Sequence, residues 1–322
     1  MNILTYQLTA PLARGPYVDL ATWAKQLASC PFTRQVERAI WGGFHADRLG
    51  YAFVAGYSAA LAQLLVHAAT SQGSQGSRAS RPFPERPFPA RLCLCATEAG
   101  GGHPRAIATR LDKQGGALVL NGEKTFATLA TVSEELLIVA SRGIEADGKN
   151  RLRVVRVKPN AKGVQIIARE PLAFAPEIPH AIVRLTDVVV ENDDVLPGDG
   201  YDHYLKPFRT IEDTHVLASM VGYLSGVGRT YSFTKDVMAE LVSLALARVD
   251  VGARDPRAPL THIVLAGLFA QGRRLVASLG PEWEKASEEE RTRWQRDQAL
   301  MMIADSVRGK RTEAAWKSLV PA

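Results

Sequence analysis

Residues 92–104 read LCLCATEAGGGHP. Leu92–Cys95 has the composition of a short buried strand. Thr97-Glu98-Ala99 follows, then Gly100, Gly101 and Gly102, then His103-Pro104. Residues without Cβ let backbone approach closely. A strand running into three of them packs against either another part of the chain or a ligand.

The surrounding composition narrows the choice. Cys30, Cys93 and Cys95 are an odd set of three, which argues against a disulfide framework. Cys93 and Cys95 stand two apart on one strand and share a face. No second cysteine pair and no His-x-x-x-His completes a metal site, so buried thiols in a reducing cytoplasm are expected and no metal is assigned. The net charge is +6, but the arginines are scattered, without a basic block or basic-aromatic patch. Nucleic acid is therefore not expected, and a small anionic ligand such as a nucleotide or CoA ester suits the field better. No run of 18 or more apolar residues predicts a membrane span, and the first twenty residues lack the pattern of a secretory signal.

Outward from the glycines, the texture changes twice. Asp19–Ser29 and Thr33–Thr70 are helical, the second apolar nearly all round. Residues 71–91, SQGSQGSRASRPFPERPFPAR, read as a linker. From Leu92 to Leu196 short apolar runs alternate with Gly, Asn and Pro, predicting a sandwich or barrel, with Asn121-Gly122 at a hairpin tip. After Pro207 the strands stop. Residues 208–247 carry Gly222, Gly226 and Gly228 in an apolar helix. A second helix over 260–279 ends at Gly280-Pro281. Ser287 with Glu290 forms a capping box opening a third long helix to Leu319. The expected domains are 1–91, 92–200 and 201–322.

This order and three motifs resemble the acyl-CoA dehydrogenase family. Thr97 to Pro104 is similar to its "TEPGAGSD" signature. Asn121-Gly122-Glu123-Lys124-Thr125-Phe126-Ala127-Thr128 is similar to "NGxKxWIT". Leu185 to Val190, continuing to Leu196-Pro197-Gly198, is similar to the segment leaving its barrel. The resemblance implies an α+β fold of N-terminal helices, a middle β-barrel and a C-terminal helical bundle enclosing FAD. By the same resemblance Thr97 binds the flavin pyrimidine, Gly102 gives backbone access, Thr128 lies near flavin N5, and Phe126 replaces the usual tryptophan. Ala245 to Gly252 is similar to "ALxRxxFG", whose arginine, here Arg248, reaches a neighbouring subunit's FAD pyrophosphate; a solvated arginine at a helix end is the other reading. A homodimer or homotetramer is implied, with the small-residue surface of 217–246 as partner face.

The departures are specific. His103 stands where the family has serine and either donates to phosphate or blocks it. Pro259 falls where a glutamine is usual. The family's "GGxG" and "YEGT" segments are missing from these 322 residues, which predicts weakened or lost FAD. Alignment on Ala218–Gly222 puts Glu212 where one branch of the family has its base, with Asp213 beside it as a solvated carboxylate. The expectation is a divergent flavoprotein oxidising an acyl-CoA or related substrate. A non-catalytic partner subunit and a flavin-dependent monooxygenase of the same fold stay open, as does whether the chain is an enzyme.

Overall fold

The computed structural model describes residues 1–71, 91–101, 103–302 and 305–320, with backbone only at 302 and 305–307. Most of the expected linker and Gly102 lie outside the described residues. Two compact units emerge. One, helical, comprises Met1–Ala60, Leu172–Glu177 and Arg209–Ala322; the other comprises Leu61–Pro171 and Ile178–Phe208 and contains the sheet.

The chain begins with α1 (Ile3–Thr9), α2 (Leu20–Ala28), α3 (Gln35–His45) and α4 (Leu49–Ser71). Asp19 caps α2 by accepting from the Thr22 N–H at 2.7 Å. The helix expected over 33–70 is thus two, broken at Ala46, whose extended backbone ends α3. By length and composition α4 is apolar enough to cross a membrane, but 72% of its most apolar window is buried, as in a core helix.

The middle of the chain supplies β1 (Leu92–Cys95), β2 (Arg110–Gln114), β3 (Ala117–Thr128), β4 (Glu135–Ile144), β5 (Asn150–Val157), β6 (Val164–Ala168) and β7 (His180–Val190). They form a curled sheet in the order β1-β4-β2-β3-β7-β6, with β5 on β4. Alternate residues of the strands, among them Leu118 and Leu120, Leu136 and Ile138, and Val183 and Leu185, fill one interior face. Cys93 and Cys95 join that face, buried and free, with their Sγ atoms 3.5 Å apart.

Asn121-Gly122 is not a hairpin tip. The β2–β3 turn is Gly115-Gly116, between paired Gln114 and Ala117, and both glycines have positive φ, +55° and +91°. That is what a two-residue hairpin loop demands. Asn121-Gly122 instead marks a bulge inside β3. Asn121 donates to Asp187 Oδ1 at 3.1 Å and accepts from the Asp187 N–H at 2.8 Å. Asp187 itself takes φ +50°, so both strands bulge together and stay paired.

The helical unit continues with α5 (Lys206–Thr230, entering at Arg209), α6 (Lys235–Val251), α7 (Pro259–Ser278), α8 (Gly280–Trp283), α9 (Glu288–Asp297) and α10 (Asp305–Leu319). Gly280-Pro281 starts the short α8 immediately after α7. Ser287 caps α9 as its capping motif implies, accepting from the Glu290 N–H at 3.3 Å. The expected long helix from there is two, separated by a 3-10 turn at Gln298–Met302.

The small residues of α5 face α3 within the same chain. A Cβ on Gly222 would lie 2.1 Å from the Ile40 carbonyl oxygen, and one on Gly226 2.3 Å from that of Phe44. On the α3 side, a Cβ on Gly43 would lie 1.8 Å from the Ser219 carbonyl oxygen. Gly222 and Gly226, within the stretch expected to form a partner face, therefore pack inside the chain. Gly222→Ala should destabilise the helical unit by about 1–3 kcal/mol, because backbone must move to admit the methyl group. Gly267, inside α7 with nothing near its missing Cβ, is the converse: Gly267→Ala should stabilise by about 0.5–1 kcal/mol. Urea unfolding monitored by hydrogen exchange in α5 and α7 separates the two signs.

Candidate functional site

Within the sheet unit the two signatures are joined strand to strand. Thr97 and Phe126 form an antiparallel bridge, and the Thr125 N–H donates to the Thr97 carbonyl at 2.9 Å. The neighbouring side chains lock the junction. Lys124, with no exposed side-chain surface, donates to Glu98 Oε1 at 2.5 Å and to the Val139 carbonyl at 2.5 Å. Glu98 also accepts from the Thr109 hydroxyl at 2.7 Å and from the backbone N–H groups of Ala108 and Thr109. Burial works to raise the Glu98 pKa, yet Lys124 and these donors together hold it below the usual carboxylate range. Glu98 and Lys124 thus serve the signatures as their mutual anchor.

The glycines now divide by role. Glu98 and Gly101 exchange two backbone hydrogen bonds, so Ala99-Gly100 turns the chain. Gly101 needs its hydrogen side chain because φ is +91°, and nothing lies within 4 Å of where a Cβ would stand. The backbone there is open to an approaching group. His103 is exposed and caps a 3-10 turn, its Nδ1 accepting from the Arg105 N–H at 3.2 Å.

Phe126 and Thr128 converge on His180, the residue paired with Thr128 across β3 and β7. The Phe126 and His180 rings stack with centroids 4.3 Å apart. The Thr128 hydroxyl lies 3.3 Å from His180 Nδ1. Arg169 donates to the Thr125 carbonyl at 2.8 Å, with its guanidinium carbon 5.5 Å from the Phe126 centroid. Burial, then the Arg169 charge, push the His180 pKa down to about 4, so the ring is neutral at pH 7. His180 and Arg169 escaped sequence reasoning, because only the β3–β7 register brings them to Phe126. Thr97, Phe126 and Thr128 offer hydroxyls and an aromatic face beside open backbone, a donor set that fits a flavin ring.

Glu212 and Arg248 belong to the helical unit. Glu212 lies inside the run of α5, and its pKa is pushed up to about 7, first by burial and then by the adjacent Asp213. Asp213 is not solvated, as expected from sequence, but clamped. Arg308 donates to Oδ1 at 2.9 Å and Arg311 to Oδ2 at 2.5 Å. Arg248 is not solvated either: it is 1% exposed. Its Nε and Nη1 have no hydrogen-bond partner, and burial lowers its pKa to about 9. Among the described residues no group of three or more His, Cys, Asp or Glu side chains is placed to hold a metal.

Comparison with known proteins gives one family and a set of folds. Residues 93–188 match the acyl-CoA dehydrogenase middle domain. No curated protein sequence matches the chain. Among solved structures, butyryl-CoA dehydrogenase from Megasphaera elsdenii is similar at 14% identity with TM-score 0.68, covering 92% of this chain and 90% of that one. The FAD complex of PigA is similar at 12% identity with TM-score 0.67, covering 97% and 91%. FMN-bound TdsC from Paenibacillus sp. A11-2 is similar at 15% identity with TM-score 0.64, covering 88% and 83%. At these identities the likeness is one of fold.

Proposed function

Because the chain is an acyl-CoA dehydrogenase family member, by its middle-domain sequence and by the fold around it, we propose that it is an FAD-dependent oxidoreductase acting on an acyl-CoA or related acyl substrate, with Glu212 as its base. The observation that carries this reading is the acyl-CoA dehydrogenase middle-domain match over residues 93–188; the Glu212 carboxyl, which burial and then Asp213 push up to about 7, suits the base such a reaction needs. A base removing the weakly acidic proton α to a thioester works best with a pKa near the operating pH.

Thr97, Phe126 and Thr128 would hold the flavin ring, with Gly101 and Gly102 giving backbone access. His103, whose Nδ1 is already occupied as an acceptor, would offer its Nε2–H to a phosphate. Bound flavin would supply the acceptor for hydride. Glu212 takes the α-proton from the substrate onto a carboxylate oxygen. Neutral His180 stacks on Phe126 and holds the Thr128 hydroxyl in place by their shared hydrogen bond. A homo-oligomer and a cytoplasmic location belong to the same proposal.

The test is to reconstitute the purified chain with FAD and, separately, FMN, pass each through gel filtration, and add saturated acyl-CoA without oxygen. FAD held weakly, and in part lost on the column, and bleaching of the bound fraction's visible absorbance are expected. Retained flavin that no acyl-CoA bleaches, but that a reductant and oxygen turn over, would replace this reading by the monooxygenase. No retained flavin would leave the non-catalytic partner subunit. If FAD is retained, His103→Ser should change affinity little and His103→Ala should weaken it.

A further inference from the structure

Some arginines scattered in the sequence are brought together by the sheet. Arg142 continues the interior-facing row of β4, two residues beyond Ala140, and Arg153 and Arg151 continue the matching row of β5, two and four residues before Val155. The register pairs Arg153 with Ala140, and at a bulge Arg142 and Gly143 together stand against Arg151. Gly143 takes φ +120°, which glycine adopts freely, so β4 absorbs the extra residue without strain. With Leu118, Asn192 and Val195, the three arginines line a pocket of about 270 Å³ in the sheet unit. Leu118 stands near the start of β3 and Thr128 at its end, so along the strand the pocket lies roughly 30 Å from Thr128.

Like charges opposed across neighbouring strands are destabilising, and nothing in the pocket offsets these. No Asp or Glu is among the described residues that line it. Arg151 pairs with Glu145, Nε to Oε1 at 3.1 Å, but both side chains are exposed and solvent screens the pair. Arg153 donates to the Leu152 carbonyl at 2.8 Å and reaches Asp199 only at 3.9 Å. Asp199 Oδ1 is meanwhile engaged by the N–H groups of Tyr201 and Asp202. Arg142 makes no hydrogen bond or ion pair among the described residues. Most of the guanidinium donors around the pocket therefore have no protein acceptor. The pocket is smaller than the usual site for a whole cofactor, so what suits it is a small anion or anionic group. A carboxylate offers two oxygens and one charge. A phosphate dianion offers three terminal oxygens and two charges, with an oxygen pair for each guanidinium fork.

We propose that the pocket at the β4–β5 bulge is a binding site for a phosphate dianion, free or as the monoester of a small molecule, held by Arg142, Arg151 and Arg153. Leu118 and Val195 give the organic part of an ester an apolar surface, and the Asn192 amide adds a donor. The site is separate from Glu212 and from the two signatures, and it does not depend on the acyl-CoA reading.

Methyl phosphate is the probe, titrated into the full-length protein at a pH above its second pKa of about 6 and followed by phosphorus NMR line broadening. Sodium chloride at about 0.15 M screens diffuse attraction. Saturable binding is expected, with a Kd of about 1 mM or tighter. Dimethyl phosphate and acetate, each with one charge, should bind at least about tenfold more weakly, the scale of one lost charge-assisted hydrogen bond. Arg142→Ala should weaken methyl phosphate by about 10–100-fold. Arg142→Lys keeps the charge but loses the fork, and its affinity should fall between the two. Arg184→Ala is the control: it removes an exposed positive charge from β7, outside the pocket, and should leave binding unchanged. Arg142 and Arg184 are both exposed, so the variants should melt with the unsubstituted protein. Inorganic phosphate then competes with methyl phosphate. Displacement at equal concentration assigns the site to free phosphate, and displacement only at about tenfold excess assigns it to a monoester. No saturable binding, or acetate binding as well as methyl phosphate, overturns the proposal. So does equal weakening by Arg142→Ala and Arg184→Ala, the mark of a diffuse positive field.

Discussion

Glu212→Gln is expected to slow reduction of the bound flavin by an acyl-CoA by about two to four orders of magnitude, with flavin content and fold unchanged. Glutamine keeps the shape of the side chain and removes the proton acceptor. In the unsubstituted protein the reduction rate should rise with pH through a midpoint near the Glu212 value of about 7, since only the ionised carboxylate takes a proton. Stability gives an independent reading. The folded pKa is raised above the ordinary 4.5, so between about 4.5 and 7 the folded chain holds a proton that the unfolded chain releases. Stability therefore falls as pH rises through that window, and Glu212→Gln should remove this slope. An unchanged reduction rate in the variant would take the base away from Glu212, and with it the dehydrogenase reading. Asp213→Asn is not an innocent control: it releases Arg308 and Arg311 from their shared carboxylate and should disturb Glu212 as well.

What the sequence disclosed, and what it hid, follows from the range of each interaction. Local signals survived contact with the structure: Ser287 caps a helix, and Cys93 and Cys95 share a buried face. The three motifs placed the middle domain because each is a short contiguous run. Asn121-Gly122 misled because a positive φ serves a bulge as well as a turn. Only the cross-strand partner Asp187 distinguishes them, sixty-six residues away. Gly222 and Gly226 were legible as close-packing residues but not by partner, since a stripe of small residues does not say whether its neighbour is α3 or another copy. Asp213 was misread, and the solvated alternative for Arg248 fails, for the same reason. Helix-end charges look solvated until Arg308, Arg311 and the neighbouring helices are folded against them. His180 gave no sequence signal, because its role comes entirely from the register opposite Thr128.

The second large effect belongs to the anchor between the two signatures. Lys124→Ala should destabilise the sheet unit by about 3–5 kcal/mol, the cost of stripping one partner from a buried ion pair. Glu98 would remain with 7% exposure and its negative charge, supported only by Thr109 and two backbone N–H groups. The Val139 carbonyl would lose a donor at the same time. Replacing both partners, Glu98→Gln with Lys124→Met, removes the stranded charge and should recover a large part of the loss, since a buried pair is weakly stabilising beside an apolar substitute. Acid should imitate Lys124→Ala in part. The Glu98 pKa is held below the ordinary 4.5 in the fold. The stability it contributes is thus present above 4.5 and lost as pH falls through the folded value. The same lysine governs the candidate site, because the Thr97–Phe126 bridge lies beside its ion pair. Amide exchange in β1 and β3 should therefore quicken in Lys124→Ala, and any flavin the protein retains should be released with it. A loss of under 1 kcal/mol, or unchanged exchange along β3, would show that the strands hold the two signatures together without the Glu98–Lys124 pair.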